Sequence, residues 1–336
     1  MDLAGVGMVT PVGLDSGASC AALRAGIQRL RETGYRDNRA RLVVGAEVRE
    51  IRSPRKGLRR LLDLAVPALR EALANAAVDD GERLALLLCV QESARPWSDG
   101  RPLESLADEL QRSLGFAFRA GIEVRASGSA GTLDALRRAR SLLRNGAADT
   151  VVVGGVDSLL TQATVDWYQK HDRLKQSVNP DGLIPGEGAA FTVWRESWPG
   201  AGVRLAGVAC ELEPAHVTAP GPNRGEGLSR VLVACLRDAR LGADQVSYRV
   251  SDLTGERFGF VEHALAAIRI FRLPMEECPH WHLAPSVGCM GAAGGAALGA
   301  WAGVAWQRGY APGPHALCIA TSDDGLRAAA ILSARS

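Results

Sequence analysis

Residues Ser127, Gly128, Ser129, Ala130 and Gly131 form a run of small side chains between an apolar stretch, 122–126, and an amphipathic stretch, 132–144. A strand, a tight turn and a helix in that order present a side chain at the positive end of the helix, where negative charge is stabilised. Residue type then decides the chemistry. A cysteine there ionises readily, whereas a serine hydroxyl stays protonated and needs a base beside it. The turn is therefore either an active hydroxyl nucleophile or the shell of such a site. A second small-residue turn, "VGCMGAAGG", carries Gly288 and Cys289 and also precedes a helical pattern.

The elements that must position these turns show as alternation along the chain. Apolar runs at 3–8, 41–46, 84–90, 122–126, 150–156, 189–194, 203–210, 248–252, 316–320 and 328–332 predict strands. Helical patterns fall at 18–25, 58–74, 103–113, 132–144, 161–170, 225–238, 261–271 and 292–307. Alternation of this kind indicates an α/β protein with largely parallel sheets. The two turns also sit in an echo. Turn, helix, Gly146 and the strand "TVVVGGVDS" are answered by turn, helix, Gly309 and the strand "ALCIATSDDG". An internal duplication would set two sheet–helix layers back to back, with both turns facing one cleft.

Composition sets outer bounds. The 336 residues are 47% hydrophobic and 23% charged, with a formal charge of +2, which gives no argument for nucleic acid or an anionic membrane as partner. Seven scattered cysteines lack a C-x-x-C pair, so a reducing, cytoplasmic setting is expected, with no zinc spacing. The first residues show no basic region or cleavage pattern, so no signal peptide is expected. The stretch 283–306 has no formal charge and is long enough to cross a bilayer, but eight of its residues are Ala and six are Gly. Gly291, Gly295, Gly299 and Gly303 give a smooth ridge that suits a helix packed closely inside a protein.

Several segments resemble the β-ketoacyl synthases of the thiolase superfamily. "GVGMVTPVG" and "CAALRAGI" resemble the family's first strand and helix. "SAGTLDALRRARSLLRNGAADTVVVGGVDSLL" resembles its nucleophile turn, helix and following Gly-Gly strand. "NPDGLIPGEGAAFTVWRES", "DLTGERFGFVEHALAA" and "SVGCMGAAGGAALGAW" resemble the loop closing the first half and the two histidine motifs. The resemblance implies a thiolase-like, five-layered α-β-α-β-α fold with two pseudo-duplicated halves, here 1–197 and 198–336, and a dimer. It implies decarboxylative condensation of an acyl group with a malonyl unit, carried on acyl carrier protein or coenzyme A. Neither a metal nor another cofactor is expected.

At the catalytic positions the resemblance breaks. The family's cysteine falls on Ser129, its first histidine on Asp252, and its second on Cys289 or Gly288. Its gating loop is replaced by Ser322, Asp323, Asp324 and Gly325. Gly128, Thr254, Glu256, Gly288, Ser322 and Asp323 are the expected lining of the cleft. An ionised Asp252 offers no proton to an enolate and repels it, and a lost oxyanion donor costs about 10²–10³-fold in rate. Ser129 and Asp252 would need a histidine to complete a hydrolase-like set. His280 and His282 flank Trp281 just before the second turn; they are expected to face opposite sides of a strand there, which makes His282 the candidate base. Asp252, Glu256 and Asp323 are expected to form an acidic wall. The run "IRSPRKGLRR", with Arg55, Lys56, Arg59 and Arg60, suits docking of an acidic carrier protein or is a solvated helix start. Two readings follow. One is a non-condensing subunit, resembling chain-length factors, that pairs with itself or with an active synthase. The other is a serine-dependent acyltransferase or thioesterase acting through Ser129.

Overall fold

The computed structural model describes residues 1–51, 56–79, 81–97, 99, 101–271 and 278–335. In the first half the chain runs β1 (Asp2–Val9), α1 (Ser16–Arg24), β2 (Arg31–Arg36), β3 (Leu42–Gly45), α2 (Leu58–Asn75) and β4 (Leu84–Val90). It continues through α3 (Ser105–Leu114), β5 (Ile122–Ala126), α4 (Gly128–Arg144), β6 (Thr150–Ser158), α5 (Gln162–Lys170) and β7 (Glu187–Arg195). The second half runs β8 (Val203–Leu212), α6 (Glu226–Ala239), β9 (Tyr248–Ser251), α7 (Arg257–Ile270) and β10 (His280–His282). It ends with α8 (Ala284–Val287), α9 (Gly294–Gln307), β11 (His315–Thr321) and β12 (Leu326–Ala334).

The duplication is visible in strand order. From the middle outward, one side of the ten-stranded sheet reads β1-β7-β6-β4-β5 and the other β8-β12-β11-β9-β10. Each half thus places its first strand at the centre, its last strand next, then its fourth, second and third. β1 meets β8 through Asp2 and Arg204. Helices occupy matching places: α2 and α6 precede the second strand of each half, α3 and α7 the third, α4 and α9 the fourth.

Layering follows from which helix faces are apolar. α9 is uncharged and apolar all round, as a helix covered on every side must be. With α4 it forms the central layer, packed against strands of both halves. α2 and α3 cover the outer face of the first half-sheet, and α6 and α7 that of the second. The result is the thiolase-like five-layered α-β-α-β-α arrangement. No helix among the described residues is long and apolar enough to cross a membrane.

The sheets are not largely parallel, as the alternation predicted. β4 runs parallel to β5 and β6, and β9 to β10 and β11. The pairs β6–β7, β7–β1, β1–β8, β8–β12 and β12–β11 are antiparallel. Both faces of every half-sheet are covered by helices or by the other half, so antiparallel strands here read as continuous apolar runs, like parallel ones. β2 was unpredicted because its sequence, RETGYR, is mostly polar; it pairs with β3 and turns Thr33 inward, its Oγ1 donating to the Val43 carbonyl at 2.8 Å.

Candidate functional site

The first turn of α4 is shaped by two glycines. Gly128 has φ +59°, the left-handed region that glycine favours, and a Cβ there would lie 1.9 Å from Glu92 Oε1. A Cβ on Gly295 of α9 would lie 2.3 Å from both the Ser129 carbonyl oxygen and Thr132 Oγ1, so α9 approaches this turn as closely as backbone permits. Ser129 is thereby held where the α4 terminus meets the second turn.

A cavity of about 80 Å³ opens at this junction. Ser129, Asp252, Thr254, Glu256, Gly288, Cys289, Ser322 and Asp323 all line it, so the residues expected in the cleft come together, with Gly128 just behind. Both turns face the one cavity. Gly288, at φ +64°, turns the chain so that the Cys289 amide donates to the Ile184 carbonyl at 2.7 Å.

The Ser129 hydroxyl and Asp252 Oδ1 are both buried without a hydrogen-bonding partner. Burial raises Asp252 to about 6, against the Thr321 amide, which donates to its Oδ2 at 2.9 Å, and against the neighbouring Ser129 hydroxyl. The amide of Ala130, part of the anion-attracting helix start, is already taken: it donates to Ser322 Oγ at 2.9 Å, and that hydroxyl donates to the Ser127 carbonyl at 2.7 Å. Burial pushes the Cys289 thiol far above the usual range, so it stays protonated and is a poor nucleophile.

The acidic wall is not what it seemed in sequence. Arg173 clamps Glu256 in a two-pronged contact, Nε to Oε1 at 2.7 Å and Nη2 to Oε2 at 3.0 Å, and its Nη2 also donates to Asp323 Oδ1 at 2.9 Å. Burial works to raise Asp323, yet Arg173 holds it below the usual carboxylate range, helped by the Tyr168 hydroxyl at 3.0 Å. Arg327 pairs with Glu262 at 2.8 Å, and Arg95 with Asp157. Of the lining carboxylates, Glu92 and Asp252 are left without a guanidinium partner in this set. Burial, with Asp323 adding, pushes Glu92 up to about 7.

Two expected assignments are corrected. His282 is not in the cavity wall. Residues two apart on a strand share a face, so His280 and His282 lie together, ring centroids 4.1 Å apart, and both bond Ser251 Oγ, at 2.9 and 3.1 Å. Arg60 is not a docking residue: it is 7% exposed and donates to Glu187, Val48 and Ile51. A run of charges counts composition, whereas α2 turns Arg59 outward and Arg60 inward on successive faces. Arg59 is exposed, 3.9 Å from Glu109. Lys56 lines a separate cavity of about 230 Å³ with Tyr35, Glu47 and Trp97. Arg55 lies outside the described residues.

Glu92, Arg95, Tyr168 and Arg173 were missed by sequence reasoning. Glu92 directly follows the all-apolar β4, and Asp157 stands near the end of β6. Charged residues at the carboxyl ends of strands are where α/β folds gather functional groups, and that signal could have found both. Among the described residues no group of three or more His, Cys, Asp or Glu is placed to hold a metal ion.

Residues 118–197, the stretch that builds β5, α4, β6 and β7, match the β-ketoacyl synthase N-terminal domain. A Streptomyces coelicolor protein named as β-ketoacyl synthase 2 of actinorhodin polyketide assembly is 30% identical over 194 residues, 49% of this chain and 46% of that protein. In that match the chain spans about half the length of the relative. The ketoacyl synthase alpha subunit of the Streptomyces glaucescens tetracenomycin polyketide synthase is 26% identical over 311 residues, 76% of this chain and 72% of that one. Among solved structures, a complex of a type II polyketide acyl carrier protein with its ketosynthase superposes with TM-score 0.80 at 17% identity, covering 100% of this chain and 99% of that one. A ketosynthase with its chain length factor from Xenorhabdus doucetiae gives TM-score 0.78 at 17% identity, over 99% and 98%. The fold is that of the ketosynthases, and the family's N-terminal domain is matched over residues 118–197.

Proposed function

We propose that this chain is a ketosynthase-like subunit of fatty-acid or polyketide-type acyl assembly that does not itself condense, and that it holds an acyl chain, a carrier protein or an active ketosynthase partner, as chain-length factors do. The observation that carries this reading is the chamber's chemistry. The positions that we assign to the family's triad hold Ser129, Asp252 and either Cys289 or Gly288. The Ser129 hydroxyl has no histidine beside it, the Cys289 thiol is held protonated, and His282 is bonded into the Ser251 cluster. Condensation needs hydrogen-bond donors at the enolate oxygen; a carboxylate in their place works against it. The halves 1–197 and 198–336 are the proposed duplicated units, and exposed Lys56 and Arg59 remain the proposed contacts for an acidic carrier protein. The subunit would form a homodimer or pair with an active ketosynthase.

One observation favours a second reading, a serine-dependent acyltransferase or thioesterase. The unpartnered Ser129 hydroxyl lies beside a carboxyl raised to about 6, which is closer to a useful base than an ordinary aspartate. The first reading is tested by measuring CO2 release from malonyl-loaded acyl carrier protein. The rate is expected to stay at that of the substrate alone, and protein-dependent release that survives further purification would overturn the reading.

A further inference from the structure

The cavity between the two turns is ringed by buried polar atoms that nothing in the protein satisfies. Nε and Nη1 of Arg95 have no acceptor, although the residue is only 3% exposed. Ser129 Oγ and Asp252 Oδ1 line the same space beside one another, with no partner beyond each other. Leaving several such groups unpaired around one void is unfavourable, so the site is built for an occupant that supplies both an acceptor and a donor. Its volume of about 80 Å³ fits a group of a few heavy atoms and no long chain.

Charge narrows the occupant further. The guanidinium of Arg95 is already neutralised by Asp157, and Arg173 and Arg327 are neutralised by Glu256, Asp323 and Glu262. Glu92 and Asp252 remain, and Glu92 lies against the first residue of α4, where the helix start would otherwise attract an anion. Above about pH 7, where both acids are ionised, a carboxylate entering the cavity meets two negative charges, and among the described lining residues every guanidinium is already paired.

We propose that the chamber is a binding site for a short, uncharged acyl group bearing a carbonyl acceptor and a hydroxyl donor, and that Glu92 and Asp252 make it refuse carboxylated acyl groups. The carbonyl accepts from Arg95, and the hydroxyl donates to Asp252 with Ser129 bridging. This deepens the non-condensing reading and rests on it, because a chamber that refuses a carboxylate cannot receive a malonyl extender.

Ligand-observed NMR with 3-hydroxybutyramide, butyramide and malonate tests the proposal on the full chain. The expected order is 3-hydroxybutyramide first, butyramide about tenfold weaker for want of the donor, and malonate at least tenfold weaker than 3-hydroxybutyramide. At pH 8, where Glu92 is ionised, Glu92→Gln is expected to raise malonate affinity about tenfold while leaving that for 3-hydroxybutyramide within threefold; if that variant does not fold, malonate affinity of the parent rising severalfold from pH 8 to pH 6.5, with 3-hydroxybutyramide unchanged, serves instead. Malonate binding as tightly as 3-hydroxybutyramide in the parent would overturn the proposal. So would no binding by any probe, which would leave water as the occupant. Acyl transfer to Ser129 or CO2 release would end the non-condensing reading without changing the ratio of the probes, so the two failures are distinguishable.

Discussion

Replacing Arg95 with Met is expected to destabilise the protein by about 3–5 kcal/mol, because it leaves Asp157 as a buried charge without its partner. Arg95 is 3% exposed and Asp157 2%, so neither can turn to solvent. The pair does more than fill space. Asp157 Oδ2 also accepts from the Ala292 amide at 2.9 Å, which ties the end of β6 in the first half to the second turn. Arg95 itself lines the chamber. Urea denaturation should show the midpoint of Arg95→Met falling well below that of the parent. Arg95→Met combined with Asp157→Leu should recover much of the loss, since removing both charges avoids the stranded one. A double variant as unstable as the sum of the two single ones would mean the residues do not act as a pair.

The second large effect is a pair of opposite pH slopes. His263 is buried beside His280, their rings stacked at 6.0 Å, and burial, with the neighbouring positive groups His282, Arg327 and Arg249, lowers it to about 3. Its unfolded value is near 6.5. Between those values the unfolded chain binds a proton that the folded protein refuses. The stability tied to a neutral His263 is therefore complete above pH 6.5 and is lost as pH falls, about 2 kcal/mol by pH 5. His280, lowered to about 2 mainly by burial, adds to the same slope.

Glu92 runs the other way. With its folded value raised to about 7, the folded state holds the proton that the unfolded chain has released, so stability falls as pH rises from about 4.5 to 7. The Glu92 slope offsets part of the histidine slope in the parent between pH 5 and 7, and the two separate in variants. His263→Gln should gain about 2 kcal/mol relative to the parent between pH 8 and pH 5. Glu92→Gln should be more stable than the parent at pH 8, on the order of 2 kcal/mol, with the advantage gone by pH 5. Urea midpoints measured at pH 5, 6.5 and 8 decide it; a constant offset at all three for either variant would refute the assigned protonation states.

These slopes come from packing that the sequence shows only in part. β4 and β5 have the predicted bounds, and the echo of turn, helix, glycine and strand marks the two matching halves, because buried strands and amphipathic helices carry their period in local sequence. The residues that close the chamber were only half legible. Asp252, Ser322 and Asp323 could be placed by the motifs they interrupt, but Arg173, which neutralises Asp323 and Glu256, lies in a loop that no period marks. Arg60 looked solvated within its charge run because its partner, Glu187, is 127 positions away. Direction of strands was hidden for the same reason, since it depends on pairing rather than on pattern.

The claim at the centre of this account is that the turn at Ser129 is kept as architecture. It is tested most directly by intact-protein mass after incubation with acyl-carrier-protein and acyl-coenzyme A thioesters, in parallel with Ser129→Ala. An unchanged mass is expected for both proteins with every thioester. An acyl adduct on the parent that is absent from Ser129→Ala would contradict it and make this chain a serine acyl-enzyme.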